Sequence, residues 1–178
     1  MRVLTCLVVF LCCRPAFAER APILRQGFTA GLSLGGGGAV LTVDEATKHQ
    51  FGLGGLNLEI GGFVAPNVAL LFKVAGVNYG PFDDRLTLGL AESFGPAVQM
   101  WFGDRLNLTA GLGIGFMTEQ PRDGIQTQHL GAGLMLTLAV LPLALAHHGL
   151  GLALDIEPVF ALNATAMAYQ IGLTWQYY

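Results

Sequence analysis

The sequence predicts an all-β fold, an eight-stranded antiparallel up-and-down transmembrane β-barrel, and three observations carry that expectation. Segment after segment alternates large apolar residues with small or polar ones, as in Leu106-Asn107-Leu108-Thr109-Ala110-Gly111-Leu112-Gly113-Ile114, and side chains on a strand have period two. Only 12% of the 178 residues are charged, against roughly 25% in ordinary globular proteins, so the chain is suited to an apolar solvent. Yet it holds 25 glycines, spread through those same apolar segments, where a helix loses up to ~1 kcal/mol per glycine. Strands, not helices, reconcile a lipid-like composition with that much glycine.

The segments follow in order. In the first, Phe28, Ala30, Leu32 and Leu34 oppose Thr29, Gly31, Ser33 and Gly35. The second runs from about Leu53 to Val64, with Leu56, Leu58 and Ile60 on one face and Asn57, Glu59 and Gly61 on the other. Pro66-Asn67 makes a tight turn, after which Val68, Leu70, Phe72 and Val74 continue the apolar face opposite Ala69, Leu71, Lys73 and Ala75. The fourth, Leu86 to Phe102, is the least regular, because Pro96 removes a ladder donor and predicts a bulge or kink. Gly103-Asp104-Arg105 turns the chain into the fifth, Leu106 to Phe116. The sixth spans Leu130 to about Val140, the seventh sets Leu150, Leu152, Leu154 and Ile156 against Gly151, Ala153, Asp155 and Glu157, and the eighth is Tyr169 to Tyr178. About ten residues suffice for a tilted strand to cross a bilayer, and closure removes the open edge that lipid cannot satisfy. Short turns at 65 to 67 and 103 to 105 alternate with long polar loops expected at 36 to 50 and 117 to 129. The apolar stretch from 141 to 149 fits neither kind of connection.

Two other architectures compete for these residues. Residues 130 to 146 carry no charge and can be drawn as a membrane helix, against which stand Gly131, Gly133 and Pro142. A soluble lipocalin-like barrel would turn its apolar face inward. That would leave Glu59, Lys73, Asp155 and Glu157 on the outside, whereas a polar lumen accommodates them.

At the start of the chain Met1-Arg2, an apolar run from Val3 to Cys13, and Ala16-Phe17-Ala18 read as a secretory signal peptide over 1–18, leaving 19–178 as one barrel domain. All three cysteines, Cys6, Cys12 and Cys13, fall in the removed segment, so the mature domain has neither disulfide nor thiol chemistry. Arg2 and Arg14 leave with it; seven basic residues then face twelve acidic ones, a formal charge of −5, which excludes a nucleic-acid partner.

The last strand resembles the closing strand of bacterial outer-membrane β-barrel proteins. In that family a polar residue, a glycine and spaced terminal aromatics form the signal read by the barrel assembly machinery; Gln170, Gly172, Trp175 and Tyr177 occupy those positions, and Tyr178 ends the chain. The whole domain is similar in plan to OmpA-like transmembrane barrels. The resemblance implies residence in the bacterial outer membrane, partnership with outer-membrane lipid and lipopolysaccharide, insertion by the assembly machinery, and a monomer.

Candidate functional residues lie on the inward face. Reflecting the hairpin about Pro66 puts Glu59 opposite Lys73, a luminal ion pair that fixes register or, on the sharper reading, a gate. Asp155 and Glu157 share a face with no evident cationic partner; solvation near the rim is the plainer expectation, a cation or proton site the other. No catalytic, metal or cofactor site is assigned. His147-His148 reads as a polar turn, since adjacent residues seldom face one ligand, and no complete dinucleotide or phosphate-loop string occurs. Asn163-Ala164-Thr165 matches a glycosylation sequon, without meaning for a bacterial address. Lipid A deacylases, as a family, carry a His-x-Ser pair, and here His129-Leu130-Gly131 has glycine in the serine position. Three functions follow: a non-catalytic structural or surface-interaction barrel, a narrow porin-like channel, and a lipid-modifying hydrolase built on Ser93 and His129.

Overall fold

A computed structural model describes residues 23, 25–43, 46–80, 86–121 and 125–178. The expected signal peptide and its cysteines lie outside the described residues. Among the described residues nine strands form one antiparallel sheet: β1 (Gly27–Val43), β2 (Ala46–Gly52), β3 (Leu56–Ala65), β4 (Val68–Tyr79), β5 (Leu86–Phe102), β6 (Leu106–Pro121), β7 (Thr127–Ala144), β8 (His148–Ala161) and β9 (Ala164–Tyr177). β1 pairs with both β2 and β3, the strands from β3 to β9 pair successively, and β1 pairs with β9 from Ala30↔Tyr177 to Val43↔Ala164, closing the ring.

The wall has eight positions although the strands number nine. The free edge of β1 is shared: β3 pairs with its first half, Gly27↔Phe63 to Leu34↔Leu56, and β2 with its second, Gly37↔Gly52 to Val43↔Ala46. β2 and β3 are therefore one wall strand interrupted around Gly54, which bridges Asn78 of β4. Gly54 has φ +74°, and a Cβ there would meet the Gly35 carbonyl and the Gln170 amide, so only glycine fits the break. The start of β1, the end of β9 and the turns at 66–67, 103–105 and 146–147 lie at one end of the barrel, the terminal end; β1–β2, β4–β5, β6–β7 and β8–β9 are joined at the other, the loop end.

Side-chain direction follows the alternation throughout. Leu112, Ile171 and Leu173 are 65%, 64% and 72% exposed on the outer wall, with Phe28, Ile60, Phe72 and Leu152 alongside, while Thr29, Lys73, Ala75, Gln99, Thr109 and Asp155 are buried inside. Residues 130–144 are the strand β7, not a helix, and the apolar face points outward, not into the barrel. Both structural rivals fail on these two points.

Three expectations about connections need correction. Residues 36–50, expected as a polar loop, are mostly the paired ends of β1 and β2, because Ala39 and Leu41 bury inward against Val77, Tyr79 and Met117. Residues 117–121 and 127–129, expected in the second long loop, likewise extend β6 and β7. Strands of 17 and 18 residues exceed the roughly ten that a bilayer requires. The stretch 141–149 is a hairpin: β7 runs to Ala144 and β8 begins at His148, with a register shift between Val140 and Leu143 beside Pro142. At Pro96 no bulge forms. Phe94↔Ile114 and Ala97↔Gly111 keep one register with the rungs between them missing, since proline withholds a donor without lengthening the chain. Gly103, at φ +67°, supplies the left-handed turn expected between β5 and β6.

Candidate functional site

The inward side chains form a column along the barrel axis. At the terminal end Arg25, just before β1, lies over the Trp101 ring with its guanidinium carbon 3.9 Å from the centroid and 5.0 Å from that of Tyr178. Trp101 and Tyr178 meet edge to face at 5.1 Å. Arg25 donates to the Gly103 carbonyl at 3.2 Å and approaches Asp104 at 3.7 Å. The Tyr178 backbone N–H donates to His147 O at 3.0 Å and its phenol to His148 O at 3.3 Å. Burial raises the Tyr178 phenol above its ordinary pKa, with the Arg25 charge pulling the other way; burial lowers that of Arg25, opposed by Tyr178 and Asp104. Arg25, ahead of β1, and Tyr178, after β9, thus latch together across the mouth.

Above this latch the polar chain is continuous. Trp101 Nε1–H donates to Gln99 Oε1 at 2.9 Å, and Gln99 Nε2 donates to Glu59 Oε1 at 2.9 Å. Lys73 Nζ stands 3.9 Å from Glu59 Oε2 and 3.4 Å from Asp155 Oδ1, and also donates to the Thr137 hydroxyl, which in turn donates to Asp155. The other Asp155 oxygen accepts from Ser33 at 3.3 Å and from Gln170 Nε2 at 3.4 Å. Gln170 Oε1 accepts the Gly55 N–H at 2.7 Å, and Asn57 joins the Gly76 N–H at 2.9 Å to Glu157 Oε1 at 3.2 Å. These two amides satisfy backbone donors beside the β2–β3 break, where the ladder leaves them without carbonyl partners. Glu157 Oε2, Ser93 Oγ and Asn107 Nδ2 are buried without a hydrogen-bond partner among the described residues.

Nearest the loop end the column becomes apolar, with Ala39, Leu41, Val77, Tyr79, Met117 and Val159 all at most 1% exposed. The cavity in the polar middle, lined by Glu59, Lys73, Asn107, Thr137 and Gln176 among others, measures about 10 Å³, room for about one water. Eight strands give an interior that side chains just fill, and here they fill it.

The predicted residues are distributed as follows. Glu59 and Lys73 face each other on β3 and β4. Asp155 and Glu157, expected to be solvated near the rim, are instead 0% and 1% exposed. The cation near Asp155 is Lys73, which reaches it across the lumen from a strand four wall positions away; alternation assigns a face but not the partner on the far wall. In the last strand Gln170 points into the lumen, Gly172 pairs with Gly35, and Trp175 and Tyr177 face outward with His148 stacked at 5.8 Å on Trp175. Tyr178 turns inside at 3% exposure. Ser93 is fully buried with its hydroxyl unpartnered, and no hydrogen bond joins it to His129 on β7. Among the described residues no group of three or more His, Cys, Asp or Glu is arranged to hold a metal ion. The inward parity of Gln99 and Trp101 is readable in the fourth segment and that of Thr137 in the sixth, whereas Arg25 precedes the first described strand and carries no signal in the sequence.

No family model matches the chain, and no curated protein matches it. Solved structures do. Ail, the attachment invasion locus protein of Yersinia pestis, superposes with a TM-score of 0.60 at 12% identity, covering 85% of this chain and 99% of Ail. Neisserial surface protein A superposes with a TM-score of 0.57 at 9% identity, covering 85% of this chain and 96% of its own. The chain therefore has the fold of the small bacterial outer-membrane β-barrels.

Proposed function

We propose that this chain is an integral barrel of the bacterial outer membrane with a structural or surface-interaction role, acting without catalysis. The observation that carries the reading is the combination of an apolar outer wall with a lumen stoppered at both ends. An outer face of leucine, isoleucine and phenylalanine suits hydrocarbon, and the fold likeness together with the terminal Gln170, Gly172, Trp175, Tyr177 and Tyr178 supports insertion by the barrel assembly machinery into a membrane containing lipopolysaccharide. A polar middle with space for about one water gives no path for solute, so what the protein offers its surroundings is its outer wall and its loop end. A monomer is the expected state, because β1 pairs with β9 along its length and closes the ring.

Two measurements test this. Full-length protein refolded into planar bilayers is expected to be electrically silent; steady single-channel steps reject the closed lumen. In cells the protein is expected in the outer-membrane fraction, running at a different apparent mass when unheated than when boiled; recovery in the soluble fraction rejects the membrane reading.

A further inference from the structure

The loop end holds a cavity that the sealed column does not absorb. It measures about 160 Å³ and is lined by Leu41, Val43, Ala46, Lys48 and Glu119. Its floor is the apolar stopper, since Leu41 belongs to that cluster and Val43 packs against it. Its upper wall is charged: Lys48 pairs in register with Leu41 and so points inward from β2, and Glu119 points inward from β6. Those strands are three wall positions apart in a ring of eight, so the two charges come from opposed parts of the rim. Neither forms a salt bridge or hydrogen bond with a described residue. Exposed Lys48 and Ala46 leave the cavity reachable from the aqueous side.

We propose that this cup binds a small apolar amino acid in its zwitterionic form, with the carboxylate on Lys48, the ammonium on Glu119 and the side chain on the Leu41–Val43 floor. The volume fits: an engineered apolar cavity of about 150 Å³ takes one benzene ring, the size class of a branched aliphatic side chain. The charges select the rest. A purely apolar guest desolvates both ions without replacing their hydration, and an anion or a cation alone leaves one of them opposed by apolar matter. A zwitterion completes both with charge-assisted hydrogen bonds. Eight-stranded barrels have room for one such ligand in the mouth. The inference deepens the surface-interaction reading and rests on it, because it places the ligand at the aqueous mouth of an inserted barrel.

The test uses the full chain refolded in detergent micelles, with leucine as the probe and two isosteres as controls: 4-methylpentanoate, which lacks the ammonium, and 3-methylbutylamine, which lacks the carboxylate. Calorimetry is expected to show leucine binding about tenfold or more tightly than either isostere, the effect of one charge-assisted bond. Lys48→Met is expected to abolish the preference for leucine over the amine, and Glu119→Gln the preference over the carboxylate. Ala46→Trp is expected to fill the cup and end binding of all three. The proposal is overturned if leucine does not bind up to its solubility limit, if all three compounds bind alike, or if the preferences survive both charge variants. Unheated gel mobility of the same samples reports the barrel itself; its loss would count against the fold and membrane reading, whereas intact mobility without leucine binding counts only against the cup.

Discussion

Lys73→Met is the substitution that most directly probes the luminal column. Lys73 is 2% exposed, and its ammonium faces two carboxylates at 3.4 and 3.9 Å as well as the Thr137 hydroxyl. At an effective dielectric of about 20, each pair near 4 Å is worth about 4 kcal/mol of attraction, which desolvation of the three charges largely offsets. Methionine keeps most of the stem and removes the charge, leaving Glu59 and Asp155 facing each other across a space that admits about one water. Breaking a buried pair from one side costs about 3–5 kcal/mol, and that is the expected loss. The assay is urea unfolding of the refolded barrel in lipid vesicles, followed by the fluorescence of Trp101 and Trp175. A companion variant, Lys73→Met with Glu59→Gln and Asp155→Asn, removes all three charges and is expected to recover most of the loss, because neutral amides can hydrogen-bond without a counter-charge. A single variant within about 1 kcal/mol of the parent, or a triple variant no more stable than the single, would falsify the claim that charge balance holds the column together.

Three further substitutions address the wall, the break and the latch. Leu112→Arg puts a charge on a 65% exposed wall position and is expected to cost about 2–4 kcal/mol near the bilayer midplane, read from the same urea titration; a neutral effect would mean that this face does not meet lipid. Gln170→Ala removes the acceptor of the Gly55 N–H and is expected to cost about 1–3 kcal/mol, with amide exchange quickened at Gly55 more than at Gly111. Arg25→Gln removes the cation stacked on Trp101 and is expected to cost about 1–2 kcal/mol, little of it from Asp104, which is half exposed. Bilayers containing the Arg25 variant should remain silent, since the polar middle and the apolar stopper still fill the lumen; a current would show that the latch alone closes the barrel.

The fold was legible to the extent that one strand's own pattern decides it. Period-two alternation assigned Leu108, Leu112 and Trp175 to the outer wall and Glu59, Lys73 and Asp155 to the lumen without reference to any other strand. The 66–67 and 103–105 turns were equally local, because proline, asparagine and glycine announce them. Where the outcome depends on what lies across the barrel, the sequence was silent. Gly35-Gly36-Gly37-Gly38 looks like a loop in isolation; it is strand because β9 lies close on one side and Gln50 and Phe51 of β2 on the other. Asp155 looked unpartnered because Lys73 lies some eighty residues earlier, and only ring closure brings the two together. Tyr178 shares the inward parity of Gln170 and Gln176, but the partners it meets there, Trp101 and Arg25, are ones its own strand cannot indicate.

That division has a physical consequence for how closure is specified. The outer wall is made of interchangeable parts, because leucine meets hydrocarbon equally well in any register that keeps it outside, so slipping a strand by two residues changes little on that face. The lumen discriminates. A slip of two along β8 would take Asp155 from Lys73 and Thr137 and bring Ala153 or Glu157 to them. A slip along β9 would move Gln170 from the Gly55 N–H and leave that donor unpaired beside the β2–β3 break. Register is specified where a face is constrained, and in this barrel the constrained face is the polar one. The β1–β9 seam, which joins the two strands farthest apart in sequence, is checked twice: by Gln176 on Thr29 at 2.9 Å within it, and by Arg25 against Trp101 and Tyr178 where the two strands end. Membrane affinity thus comes from the many outward apolar side chains, while uniqueness of the closed ring comes from a few inward ones whose partners are far away in sequence.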